Sequence, residues 1–292
     1  MAPRRENFNR DSLIRTVSRQ LNCKVVDVTA LGGGDINQAV RMKTEQGTFF
    51  VKWHPSPMPG MFCREREGLE ALDNCDAVRV PQVISVDEDG YYLVLEWIEP
   101  GGGNGRTMEE LGRSLAALHQ AGAEAFGFSS DNYIGTLVQK NTWEESWRQF
   151  FGEHRLRAQI ELGYASGAIP GEVYGRCNTL ISRLERWIPD KPEISLLHGD
   201  LWGGNYIVSN EGSAVLIDPA VYYGHREVEI AFTRLFGGFS EGFYRGYCDA
   251  WPLDRDYQSR QDLYNLYPIL VHTNLFGGHY LSRADAIIRR YL

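Results

Sequence analysis

Basic charge is what this 292-residue chain has little of. Its 30 Lys and Arg are outnumbered by 38 Asp and Glu, for a formal net charge of −8. That balance offers no electrostatic footprint for nucleic acid, so no nucleic-acid partner is expected. Cysteine is scarce too. Five occur, an odd number with no CxxC pair, and they read as free thiols in a reducing cytoplasm. The opening MAPRRENFNRDS has arginines but no apolar run behind them, unlike a secretory signal. The longest apolar stretches, such as YYLVLEW, are of strand length, so no membrane span is expected. Internal repeats, low-complexity blocks, GxGxxG and a Walker motif are all missing. The rest is ordinary: 43% hydrophobic and 23% charged residues, in a chain long enough for one large domain or two lobes.

Within it, texture changes along the chain. Residues 9–21 carry Leu13, Ile14, Val17 and Leu21 at helical spacing. KVVDVTAL, QAVRMKT and GTFFVKW follow as short β-branched or aromatic runs between turn signals, and read as antiparallel strands. Residues 61–73 read as a helix despite Gly68, and 82–86 and 91–97 as further strands. EPGGGNG (99–105) is the candidate hinge, followed by a capping-box pattern at Thr107 and Glu110. Beyond it the periodicity is helical over 143–163, 172–187, 226–236, 240–249, 258–276 and 281–291. One interruption, YIVSNEGSAVLID (206–218), reads as a hairpin around NEG. The expected plan is α+β and two-lobed. An N-terminal lobe (1–98) holds a five-stranded antiparallel sheet with a helix, and a mainly helical lobe (99–292) holds the embedded hairpin.

The chemistry concentrates at that hairpin. LLHGDLWGGN (196–205) sets Asp200 five residues ahead of Asn205, the Asp-to-Asn spacing of the HRDxxxxN loop that presents a base to a hydroxyl. Asp218 lies thirteen residues after Asn205, and a hairpin between them brings the two side by side. An amide oxygen and a carboxylate are suitable hard ligands for Mg²⁺. Lys52 shares a strand face with Phe50 and suits neutralisation of nucleotide phosphates. Its expected partner is Glu65 on the next helix, with Glu67 as rival on another helix face. LGGGDIN (31–37) is glycine-rich enough for its backbone to approach a phosphate. Together these are the parts of phosphoryl transfer, which needs placement, charge neutralisation and a base. With all of them present, a nucleotide-binding module without turnover is the weaker reading.

These residues also carry a resemblance. HGDLWGGN, the IDPA–YGHRE stretch (217–227), GGGDIN and MFCREREGLEAL resemble the fructosamine kinase (ketosamine kinase) family, itself related in fold to aminoglycoside and choline kinases. DNYIGTL (131–137), the Trp147–Phe151 segment and HxNxFGxxY (272–280) extend the similarity over nearly the whole chain. It implies a protein-kinase-like fold, and ATP and Mg²⁺ as cofactors. The implied reaction is phosphorylation of the 3-hydroxyl of a ketoamine, after which the adduct falls apart. It implies Asp200 as base, Asn205 and Asp218 on magnesium, and Lys52 with Glu65 fixing phosphates that Gly32, Gly33, Gly34 and Asp35 cover. Backbone groups of Glu96 and Ile98 would meet adenine, and Trp202 would sit over the sugar. His225 either lines the acceptor pocket or orders the loop after Asp218. Asp131, His272 and Asn274 are further acceptor-site candidates, each with structural hydrogen bonding as its alternative. His198 is expected to hold the loop, and Trp147, Phe150 and Phe151 to be helix core. Some relatives carry a cysteine in the glycine loop where this chain has Asp35, so redox control there is not expected. An aminoglycoside, choline or another small alcohol is the alternative acceptor, and oligomeric state is not legible.

Overall fold

The computed structural model describes residues 8–32 and 37–292. Of the expected glycine loop, Gly33, Gly34 and Asp35 lie outside the described residues, and Gly32 ends the described part of it. Helix α1 (Arg10–Gln20) is capped by the Asn9 side chain and precedes β1 (Val25–Leu31), β2 (Gln38–Thr44) and β3 (Gly47–Trp53). Helix α2 (Met61–Asp73), β4 (Val83–Val86) and β5 (Tyr92–Glu96) complete an antiparallel sheet of order β1-β2-β3-β5-β4. Strand alternation divides its side chains. Val51, Trp53, Tyr92 and Val94 pack with Leu13 and Val17 of α1 in one small core. Phe50, Leu93 and Leu95 face the other way and join Phe62, Leu69 and Leu72 of α2 in a core that continues into the C-terminal lobe.

The segment joining the lobes differs from the expected free hinge. Gly101 donates its amide to the Val208 carbonyl (2.8 Å), and the Asn210 amide returns to the Glu99 carbonyl (2.8 Å). A Cβ on Gly101 would stand 2.5 Å from Asn210 Cα, so the glycine permits close docking rather than freedom. Helix α3 (Gly105–His119) begins three residues earlier than expected. Asn104 is its cap and Thr107 the reciprocating residue, so the Thr107–Glu110 pairing is corrected to Asn104–Thr107.

Two short ladders were not anticipated. One is the hairpin of β6 (Asn132–Ile134) and β7 (Leu137–Gln139), turning at Gly135 in left-handed backbone, φ 62°. The other joins β8 (Ile194–Leu197) to β11 (Tyr222–His225), and so flanks the expected hairpin of β9 (Tyr206–Val208) and β10 (Ala214–Leu216). The helix expected over 143–163 starts at Trp147. It runs as α4 (Trp147–Gln149), a π-helical stretch Phe150–Arg157, and α5 (Ala158–Ala165). Trp147, Phe150 and Phe151 are buried core there. Helices α6 (Gly171–Ile181), α7 (Glu227–Leu235), α8 (Glu241–Ala250), α9 (Tyr257–Phe276) and α10 (His279–Arg290) complete the lobe. No helix among the described residues is long and apolar enough to cross a membrane, and all five cysteines are free.

Candidate active site

The loop between β8 and β9 carries Asp200, and the residue after β10 leads to Asp218. The Ile217 amide donates to the Asn205 carbonyl (3.0 Å), which extends the β9–β10 ladder and sets Asn205 beside the residue preceding Asp218. Asn205 donates its amide group to the Asp200 carbonyl (2.7 Å) and carboxylate (2.9 Å). Asp218 takes left-handed backbone, φ 57°, a conformation that costs a non-glycine residue on the order of 1 kcal/mol and persists where the surroundings impose it. Its carboxylate lies 2.6 Å from Lys52 Nζ, and Glu65 Oε1 lies 2.8 Å from the same atom. Glu67, the rival, pairs instead with Arg64 and accepts from the Ser130 hydroxyl. Burial alone would lower the Lys52 pKa, but Asp218 and Glu65 outweigh it and raise it, so the ammonium is firmly charged.

Burial pushes the Asp200 carboxyl well above the usual carboxylate range, with the Asn205 hydrogen bond opposing. A carboxylate so placed is a stronger proton acceptor than one in water. Gly199 precedes it at φ 83°, and a Cβ there would stand 2.0 Å from the Ala220 carbonyl oxygen, so only glycine serves. His198 is structural. Its Nε2–H donates to the Ile217 carbonyl (2.9 Å), and its Nδ1 accepts from the Asp200 amide (3.3 Å).

Asp200 opens onto a narrow cleft walled by Phe151, Tyr222, Glu229, Phe232, Tyr267 and His272, among others. Of the acceptor-site candidates, His272 is therefore brought to Asp200. Trp202 is 40% exposed on the same loop, folded over Gly204. Asp131, His225 and Asn274 are not among the cleft's lining residues. Asp131 closes its turn on Lys140 Nζ (2.8 Å) and the Asn141 amide (2.9 Å). His225 is buried against the Tyr264 hydroxyl (2.8 Å) and lines a separate recess with Arg226, Glu227, Asp254 and Arg260, so it orders the chain after Asp218. Asn274 ties α9 to α5 through Gln159 (2.8 Å). The Glu96 amide is committed to the Gln82 carbonyl (2.9 Å), which leaves only its carbonyl for any adenine contact; Ile98 is buried.

One functional residue escaped the sequence reading. Glu229 of α7 accepts from the backbone amides of His198 (3.0 Å) and Gly199 (2.7 Å), and from His119 Nε2 (2.9 Å). A carboxylate only accepts, so His119 carries its proton on Nε2 and its Nδ1 accepts from the Tyr247 hydroxyl (2.8 Å). A glutamate three residues past a basic one on an amphipathic helix gives no sign in sequence that it points inward.

The family model described as fructosamine kinase matches residues 11–292. The chain belongs to the fructosamine kinase family. A probable ketoamine kinase of Enterococcus faecium is 42% identical over 285 residues, covering 93% of this chain and 96% of that protein. A chloroplastic protein-ribulosamine 3-kinase of Arabidopsis thaliana is 41% identical over 278 residues, covering 92% and 83%. The crystal structure of a Thermobifida fusca protein assigned to the fructosamine-3-kinases superposes with TM-score 0.88 at 31% identity, covering 96% and 98%. A mutant of aminoglycoside phosphotransferase APH(4)-Ia in complex with ADP and hygromycin B (TM-score 0.63, 18% identity, 95% and 98% covered) shares the fold alone. This member of the fructosamine kinase family is thus a two-lobed, kinase-fold enzyme that uses ATP.

Proposed function

We propose that this enzyme phosphorylates the 3-hydroxyl of a ketoamine, a fructosamine or ribulosamine, with Asp200 as base. The reading is supported by Asp200, held by Asn205 and lining the cleft, and by the Lys52–Asp218 pair joined to it through the Ile217–Asn205 backbone bond, in a chain whose relatives are ketoamine and protein-ribulosamine kinases. Asp200 accepts the hydroxyl proton as the sugar oxygen bonds to phosphorus and the bond to the ADP leaving group breaks. Asn205 orients Asp200 from one side, and Lys52, fixed by Glu65, holds positive charge where phosphate charge develops. Trp202 and His272 bound the sugar. Gly32 begins the loop that covers the phosphates, and the lobes divide at 98/99, where Glu96 and Ile98 present backbone to adenine.

Magnesium fits the donor set. The Asn205 amide nitrogen is spent on Asp200, which leaves its carbonyl oxygen as a hard donor, and the Asp218 side chain is 42% exposed. A cation held by these two donors would draw its remaining ligands from phosphate and water. Bound there, Mg²⁺ would neutralise phosphate charge. We place the enzyme in the cytoplasm, on its free thiols.

The test is a ketoamine panel with coupled ADP detection, run on the native protein and Asp200→Asn. Turnover is expected on a ribulosamine or fructosamine. It should fall in the variant by at least about 10²-fold, the usual worth of a general base, with ATP binding retained. Native-like turnover by the variant would remove Asp200 from its role.

A further inference from the structure

Beyond the cleft wall, aromatic rings continue outward. Phe232 and His272 line the cleft itself. Phe236 lies next, its ring centroid 5.9 Å from Phe232 and 4.7 Å from His272. Phe276 and Tyr280 stand 5.5 Å and 5.0 Å from His272. The outer rings are bare: Phe236 is 36% and Phe276 54% exposed. His272 donates Nδ1–H to the Pro268 carbonyl (2.7 Å), and burial lowers its pKa, so it adds no positive charge at neutral pH. The strip is a run of ring faces without a net charge of its own.

Its placement relative to Asp200 is fixed by a glycine-to-glycine contact. A Cβ on Gly238, just past Phe236, would stand 2.5 Å from Cα of Gly203 in the catalytic loop. The Tyr206 hydroxyl also donates to the Gly238 carbonyl (2.8 Å). The turn carrying Phe236 is therefore seated directly on the loop that carries Asp200. Exposed aromatic surface that is costly to leave in water, continuous with a reaction cleft and rigidly registered to its base, marks a ligand contact.

We propose that this strip receives the amine arm of the ketoamine: the secondary ammonium and the alkyl or aryl chain it carries. The inference rests on the ketoamine reading of the Asp200 cleft. With the sugar hydroxyl at Asp200, the amine substituent must leave the cleft over its rim. An alkylated ammonium is cationic at neutral pH, and aromatic faces bind both such a cation and the methylenes beside it. The arm thus sets substrate preference, while the chemistry stays at Asp200.

The experiment uses the full chain and two ketoamines of the same sugar, one built on methylamine and one on hexylamine. The native enzyme should favour the hexyl substrate in kcat/KM. Phe276→Ala and Phe236→Ala should each lower the hexyl-to-methyl ratio by about tenfold, through KM, the usual range for lost apolar contact in a pocket. Phe276→Tyr should restore it. Should Phe236→Ala fail to fold, Phe276→Ala carries the test, because its ring is already more than half exposed. A ratio unmoved in Phe276→Ala, or a native enzyme indifferent to the arm, overturns the proposal. Turnover of neither ketoamine alongside turnover of another alcohol overturns the ketoamine reading and this inference with it, and is distinct from an unmoved ratio.

Discussion

The backbone amides of His198 and Gly199 both end on Glu229, whose side chain is almost fully buried and is also held by His119. Burial alone would raise its pKa, but the His119 hydrogen bond first, then the electrostatic pull of the two neighbouring rings and the Gly199 amide, bring it below the usual value. The sign follows. A carboxyl with a native pKa below its unfolded value stabilises the fold at pH above about 4.3 and ceases to as pH falls through the native value. In Glu229→Gln, an NH₂ replaces one acceptor oxygen and faces N–H donors. The variant should lose on the order of 1–3 kcal/mol near neutral pH, and kcat should fall by up to about a hundredfold as Asp200 shifts. Thermal scans across pH check this: the gap to the native enzyme should be widest above about pH 5 and narrow below about pH 4. A gap independent of pH would mean that the carboxylate charge contributes nothing. The role of Glu229 was hidden in sequence because nothing local distinguishes it from Glu227, which pairs with Arg260 instead. The proximity of Asn205 to Asp200 and to the residue before Asp218 was legible, because it follows from spacing and a single hairpin.

Helix α2 shows how an apparently poor choice in sequence becomes a packing requirement. Gly68 weakens the helix by about 1 kcal/mol relative to alanine. Yet a Cβ there would lie 3.3 Å from Pro219 Cγ and 3.4 Å from Val221 Cγ2, so α2 packs against the segment that follows Asp218. That approach brings Glu65 and Asp218 to the same lysine. Gly68→Val should push the helix off, cost about 1–3 kcal/mol and lower kcat by at least about tenfold. Gly68→Ala should stay active. Steady-state kinetics beside urea denaturation measures both, and a fully active valine variant would show that Glu65 does not depend on this contact. Element existence was largely legible: α2 and the β9–β10 hairpin fall where periodicity and turn residues place them. The β6–β7 pair escaped because its three-residue strands turn at Gly135-Thr136 without an Asn-Glu-Gly signal like the one that marks the equally short β9 and β10. The π-helical stretch has no sequence period of its own; burial of Arg155 against Phe150 and Tyr222 accompanies it.

At the scale of the molecule, one core runs from Leu93 and Leu95 of the sheet through α2 into α3, α7 and α9. Docking of Glu99–Gly101 on the β9–β10 turn reinforces that continuity. The lobes should accordingly unfold together, in one thermal transition. On the proposed site between them, MgATP should raise its midpoint by mass action. Chelating the metal, or Asp218→Ala, should remove most of that rise, since the exposed carboxylate is the charged donor of the pair. Calorimetry with and without EDTA reads this directly, and an ATP-induced rise untouched by both would take magnesium away from Asp218.

What the sequence determined by itself was the inventory and its order: strands before helices, a carboxylate five residues ahead of an amide, and a second carboxylate one hairpin later. Those depend on local periodicity and on loop closure, which short stretches of chain encode. Only the tertiary structure decided which polar side chains meet. Asp131 and Asn274 spend their hydrogen bonds on neighbouring segments, His225 turns into the core, and Glu229 reaches the catalytic loop, because burial and partner geometry are set by elements far apart in the chain.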